Sequence, residues 1–134
     1  MRRVHSLLTL AAIGAVTFTG CSSVDEPGAS AVAQRFLTLA RTDATAACEL
    51  LAPQTAQRLQ DDGGSCPKGL QSAKPPAPGE ATRVTVAMNS AQVRMGDQAV
   101  FLARFDSGWR VTAAGCTRES SDDAVPYRCA VEGS

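Results

Sequence analysis

Aromatic side chains are scarce in this sequence: four Phe, one Trp and one Tyr make up 4% of 134 residues. Histidine is scarcer, and the only one is His5, near the start. Beyond it the chain offers no imidazole, which excludes a Ser-His-Asp or Cys-His arrangement and any His-based zinc or iron site. No two cysteines form a C-x-x-C pair, so a dithiol redox motif is absent. Neither Gly-x-Gly-x-x-Gly nor Gly-Lys-Ser occurs, so no phosphate cradle is expected. Charge of one sign is missing as well, with 13 basic against 13 acidic side chains; that balance leaves no footprint for nucleic acid. No apolar run reaches the roughly 20 residues that a membrane-spanning helix requires. A chain that is 44% hydrophobic and 19% charged is globular, with length for one domain and one modest core.

What is present begins with an export signal. Arg2 and Arg3 give a positive start, a largely apolar run covers 7–16, and Thr17-Phe18-Thr19-Gly20 leads to Cys21. Thr19-Gly20-Cys21 resembles the lipobox of bacterial lipoproteins, with Phe18 where an aliphatic residue is usual. The resemblance implies that the Cys21 thiolate receives diacylglycerol and becomes the mature N-terminus; the alternative is plain secretion, which needs only small residues at the cut. Ser22-Ser23 and Asp25-Glu26-Pro27-Gly28 read as a polar tether. The expected organisation is a signal peptide over 1–20, a lipidated tether over 21–29 and a single domain over 30–131. Removing 20 residues and two arginines leaves 114 residues with 11 basic and 13 acidic groups, a net charge of −2. The expected location is the outer face of the cytoplasmic membrane, held by the lipid, with no cofactor.

Four cysteines follow Cys21: Cys48, Cys66, Cys116 and Cys129. An even number in an exported chain predicts two disulfides. Three connectivities are possible, and Cys48 with Cys66 and Cys116 with Cys129 is preferred because each then closes a short local loop. A loop of this size contributes about 3 kcal/mol in the chain-entropy picture. The rival, a four-thiolate metal site, lacks paired ligand spacing.

The period along the domain is first helical and then two. Ser30 is expected to cap a helix with Val32, Ala33, Phe36, Leu37, Leu39 and Ala40 on its apolar side. Asp43 can cap a second helix, and Pro53 suits the first turn of a third that ends before Gly63-Gly64. A short turn around 67–70 leads to the proline-rich crossing Lys74-Pro75-Pro76-Ala77-Pro78-Gly79. Alternation then predicts strands through Val84-Val86-Met88, Ala91-Val93-Met95, 99–105 and 109–113, with a short edge strand within 125–131. Helices first and a meander afterwards make an α+β domain, with the helices packed on one face of a curved antiparallel sheet.

Strand parity then suggests a working surface. A two-residue Asn89-Ser90 turn places Met88 opposite Ala91, and a three-residue Asp106-Ser107-Gly108 turn places Phe105 opposite Trp109. A two-residue loop at Gly96-Asp97 would pair Arg94 with Ala99 and mix the faces, so an odd loop pairing Met95 with Ala99 is expected. The outer face then gathers Arg83, Arg94, Arg104 and Arg110 around Val100 and Leu102. Such a face could dock a cell-envelope protein, an anionic polymer or a second copy of the chain; the plainer alternative is an ordinary solvated sheet face.

Phe36-Leu37-x-Leu39-Ala40, Ala47-Cys48-Glu49-Leu50-Leu51-Ala52-Pro53, Gly108-Trp109-Arg110-Val111-Thr112-Ala113-Ala114-Gly115-Cys116 and Pro126-Tyr127-x-Cys129 resemble segments of small actinobacterial lipoproteins with a nuclear transport factor 2-like fold. The resemblance spans 30–131 and implies a roll in which enzymes commonly place an Asp or His in the cone between sheet and helices. Asp43 and Asp106 are the acidic residues expected near that cone or its rim, with plainer roles as a helix cap and a turn residue. Trp109, aligned with Phe101 and Phe105, is expected in the core. The function expected is a non-catalytic binding or interaction module; the alternative is a small-ligand carrier or small enzyme using the cone. Replacing Cys21 with Ala should release the protein from membranes and abolish palmitate labelling. Undiminished membrane binding of that variant would instead mean an uncleaved anchor.

Overall fold

The computed structural model describes residues 25–133, so Cys21 and the signal lie outside it. Four helices, α1 (Asp25–Thr42), α2 (Ala44–Cys48), α3 (Pro53–Gly63) and α4 (Cys66–Ala73), precede five strands. The strands are β1 (Arg83–Ala87), β2 (Ser90–Met95), β3 (Gln98–Phe105), β4 (Gly108–Cys116) and β5 (Val131–Glu132), joined in that order into one antiparallel sheet. The architecture is α+β.

Helix α1 starts at least five residues before the expected Ser30 cap. Pro27 lies in its first turn, where a missing N–H has no intrahelical partner to lose. Asp25 and Glu26 at the start and Arg41 at the end complement the helix dipole. Ala29, Ala33, Phe36 and Leu37 form its buried stripe. They lie across the sheet, where Val93, Val100, Leu102 and Val111 are also fully covered.

Asp43 caps α2 by accepting the Ala46 N–H at 3.0 Å. Helix α3 opens on Pro53 and ends at Gly64. The stretch expected as a short turn is instead α4: the Ser65 hydroxyl accepts the Lys68 N–H, and Pro67 fits the first turn. A stretch with so few apolar residues carries little periodicity, so its pattern does not mark a helix. Helices α3 and α4 meet backbone to backbone, and a Cβ on Gly69 would lie 2.1 Å from the Leu59 carbonyl oxygen. The Cys48–Cys66 disulfide joins α2 to the start of α4, and Cys116–Cys129 ties the tail to the end of β4.

The hairpins differ from expectation in register. Met88-Asn89 forms the first turn, with Met88 at φ 53, and Ala87 faces Ser90. This shifts the β1–β2 pairing by two residues and leaves the faces unchanged. The loop at Gly96-Asp97 has two residues, so Met95 faces Gln98 and Val93 faces Val100. The last turn is Asp106-Ser107, with Phe105 opposite Gly108 and Leu102 opposite Val111. Each of these two pairings is displaced by one residue. The displacements cancel for β4 and invert β3 alone. Val100 and Leu102 are therefore core residues, while Phe101, Ala103 and Phe105 turn away from the helices. Trp109 faces the core at 8% exposure, on the opposite side from Phe101 and Phe105.

Register shifts opposite Ala99–Leu102 give β4 surplus residues, and Gly115 takes φ 63 there. A side chain on Gly115 would run into Pro76 of the proline-rich crossing. Gly69→Ala should lower stability by about 2 kcal/mol through overpacking, whereas helix propensity alone would raise it by about 1 kcal/mol. Chemical denaturation of the two proteins gives the sign.

Candidate functional site on the open face of the sheet

The inversion of β3 builds a surface on the sheet face opposite α1. Phe101, Ala103 and Phe105 form a floor with Thr112 and Ala113 of β4. The start of α3 supplies one wall because the preceding segment is bonded into the sheet: Val111 N–H donates to the Leu50 carbonyl at 2.9 Å, and Ala52 N–H donates to the Val111 carbonyl at 2.8 Å. Thr55 then donates its hydroxyl to the Thr112 carbonyl at 3.0 Å. The other wall is Glu132 and Gly133. The groove so enclosed has a volume of about 770 Å³, within the range of small-molecule sites, roughly 300–1,000 Å³. Glu132 is its one ionisable lining residue.

Next to the groove, the tail folds over Phe101. Tyr127 meets that ring edge-on, centroids 5.2 Å apart. Its hydroxyl oxygen accepts Arg118 Nε–H at 2.8 Å and Gln92 Nε2–H at 3.0 Å. Arg118 also stacks on the Tyr127 ring and pairs with Asp123. The Arg118 hydrogen bond holds the Tyr127 phenol below its ordinary value, with Gln92 and the Arg118 and Arg94 charges acting in the same sense against burial. The hydrogen bonds to Tyr127 and Asp123 push the Arg118 guanidinium up.

The four arginines expected on one face are divided. Arg83 and Arg94 stand directly opposite each other on the open face, and neither is ion-paired among the described residues. Arg110 shares that face but folds back onto the Ser107 hydroxyl and the Glu49 carbonyl. Arg104 lies on the other side because β3 is inverted; it pairs with Asp25 at 2.6 Å and covers Trp109 at 4.5 Å. Val100 and Leu102, expected at the centre of the arginine face, are buried beneath α1.

Asp43 is occupied as a cap, and Asp106 is an exposed turn residue. The side of the sheet where a cone would open is packed with Phe36, Leu37, Leu70 and Trp109. Among the described residues, no group of three or more His, Cys, Asp or Glu side chains could hold a metal ion. Phe101, Thr55, Glu132 and the Tyr127–Arg118–Gln92 cluster were not singled out from sequence as a site. Their assembly depends on the β3 register and the tail path, for which only the lone Tyr near Cys129 gave a signal. Comparisons with family models, with curated proteins and with solved structures give no match.

Tyr127 is the only tyrosine, so tyrosinate absorbance reports it alone. Its midpoint should lie below the ordinary value of about 10 and return toward it in Arg118→Gln. A phenol more acidic in the folded than in the unfolded chain adds stability above the unfolded value, lost as pH falls through the folded one. Unfolding free energy should therefore rise across that alkaline interval in the native protein and rise less in Arg118→Gln.

Proposed function

We propose that this chain is an exported, lipid-anchored cell-envelope protein of the nuclear transport factor 2-like lipoprotein type, serving as a non-catalytic binding module. The groove on the open face is its binding surface. Two disulfides belong to an oxidising compartment outside the cytoplasm. Among the described residues no helix is long and apolar enough to cross a membrane. The anchor in this proposal is the Cys21 lipid, argued from the order of charged start, apolar run and Thr19-Gly20-Cys21. The order of four helices followed by a meander fits the proposed family.

The observation that carries the binding role is the apolar groove itself, on a face that no helix among the described residues covers beyond the α3 wall. Apolar side chains held in a concave, exposed position keep a hydrophobic driving force that a partner can use. With Glu132 as its only charge, the groove suits a neutral or singly cationic ligand with an apolar body. A specific feature favours a second contact: Arg83 and Arg94, without an ion pair among the described residues, lie on the same face and suit an anionic envelope polymer or an acidic patch on a second copy.

The neutral fluorophore N-phenyl-1-naphthylamine serves as a probe of the groove. It should brighten on binding the native protein, and Ala103→Trp, which fills the floor, should weaken it by about tenfold, or roughly 1.4 kcal/mol. The variant should unfold at the same temperature as the native chain. Equal affinity in both proteins would remove the groove from the proposal.

A further inference from the structure

We infer that the end of the sheet carrying the β1–β2 and β3–β4 turns rests on the lipid bilayer, with Met88 and Phe105 entering its interface; this rests on the lipid anchor proposed at Cys21. Met88 is 95% exposed and Phe105 is 41% exposed, and they are the large hydrophobic side chains left in water among the described residues. They come from different hairpins yet occupy the same end. The turns are joined by the Arg104 N–H, which donates to the Asn89 carbonyl at 2.8 Å.

Helix α1 begins at this same end. Asp25 pairs with Arg104 at 2.6 Å, beside Phe105, and Gly28 lies against Trp109. Cys21 stands four residues before Asp25, and four residues span at most about 14 Å when fully extended. A lipid on Cys21 therefore keeps the membrane within reach of Met88 and Phe105 and away from the Gly96-Asp97 turn at the far end. The far end carries Asp97 and Glu80 but also Arg83 and Arg94, so the tether, and not charge, selects which end meets the membrane.

Two apolar side chains are a weak membrane signal when free in solution. They become effective once a lipid tether supplies a high local concentration of bilayer. Docking by this end would also bring the groove, which Phe105 helps to line, close to the membrane surface.

The test uses the full lipidated chain on phosphatidylglycerol–phosphatidylethanolamine vesicles with brominated acyl chains, with lipidation established by mass. In Met88→Trp the new indole should shift to the blue and be quenched by the bromolipid. In Asp97→Trp, at the opposite end, the emission should keep its solution wavelength and intensity. The buried Trp109 contributes the same background to both. Because Met88 is exposed at a turn, its variant should fold, and hydrogen exchange of the native lipidated protein gives an independent measure: residues 88–89 and 105–107 should slow on vesicles relative to the Cys21→Ala chain in solution. A lipidated, vesicle-bound chain whose two indoles are equally unquenched, or whose turns exchange as in solution, overturns the docking and leaves the anchor standing. A mature chain carrying no lipid and remaining off the vesicles overturns both.

Discussion

Val111 is gripped from both sides. On one side it pairs with Leu102 in the β3–β4 ladder, and on the other its N–H and C=O bond to Leu50 and Ala52. Its side chain is fully buried under α1. These two bonds make Leu51, in the α2–α3 connection, a single parallel bridge at the sheet edge. They fix where Pro53 can begin α3, and so where Thr55 meets Thr112. Without them the groove loses one of its two walls and α3 its fixed place on the sheet. The same edge is then protected further along by β5 and by the Thr117–Arg128 bridge, so β4 presents little unpaired backbone to other chains.

A domain with few aromatics has to hold together by other means. Leu and Val side chains fill most of the buried volume, joined by Phe36. Small alanines on α1 and glycines at the α3–α4 crossing let backbones approach closely, which raises dispersion contact where large side chains are missing. The disulfides cross-link loops with sequence separations of 18 and 13, each contributing about 3 kcal/mol through the unfolded state. The rigid side of the sheet is thus sealed by packing and staples. The open side leaves Phe105 exposed and Phe101, beside Tyr127, half-buried.

The starts of α2 and α3 were legible because their signals are local; the end of α2 was not, since Leu51, expected on that helix at its three- and four-residue spacing, bridges to Val111 of the sheet instead. Asp43 as a cap, Pro53 in a first turn and glycine past a helix end act over one or two turns of chain. The helical-then-alternating order of elements was legible for the same reason. Helix α4 was missed because its apolar content is too small to set a period. The candidate groove was not legible, because Ala99 to Ala103 is apolar at every position. Such a strand satisfies either parity, and the choice fell to turns whose lengths the sequence left ambiguous.

The sequence by itself determined the α+β order, the Asp43 cap of α2 and the Pro53 start of α3, and it marked Cys48, Cys66, Cys116 and Cys129 for pairing. These depend on residues close in the chain or on simple counting. Only the tertiary structure decided which face β3 presents, that Arg104 leaves the other arginines to pair with Asp25, and that Tyr127 closes over Phe101. The energy that selects the β3 face comes from packing Val100 and Leu102 against Phe36 and Leu37 on a helix more than sixty residues away. A register one residue off would have satisfied the same backbone hydrogen bonds.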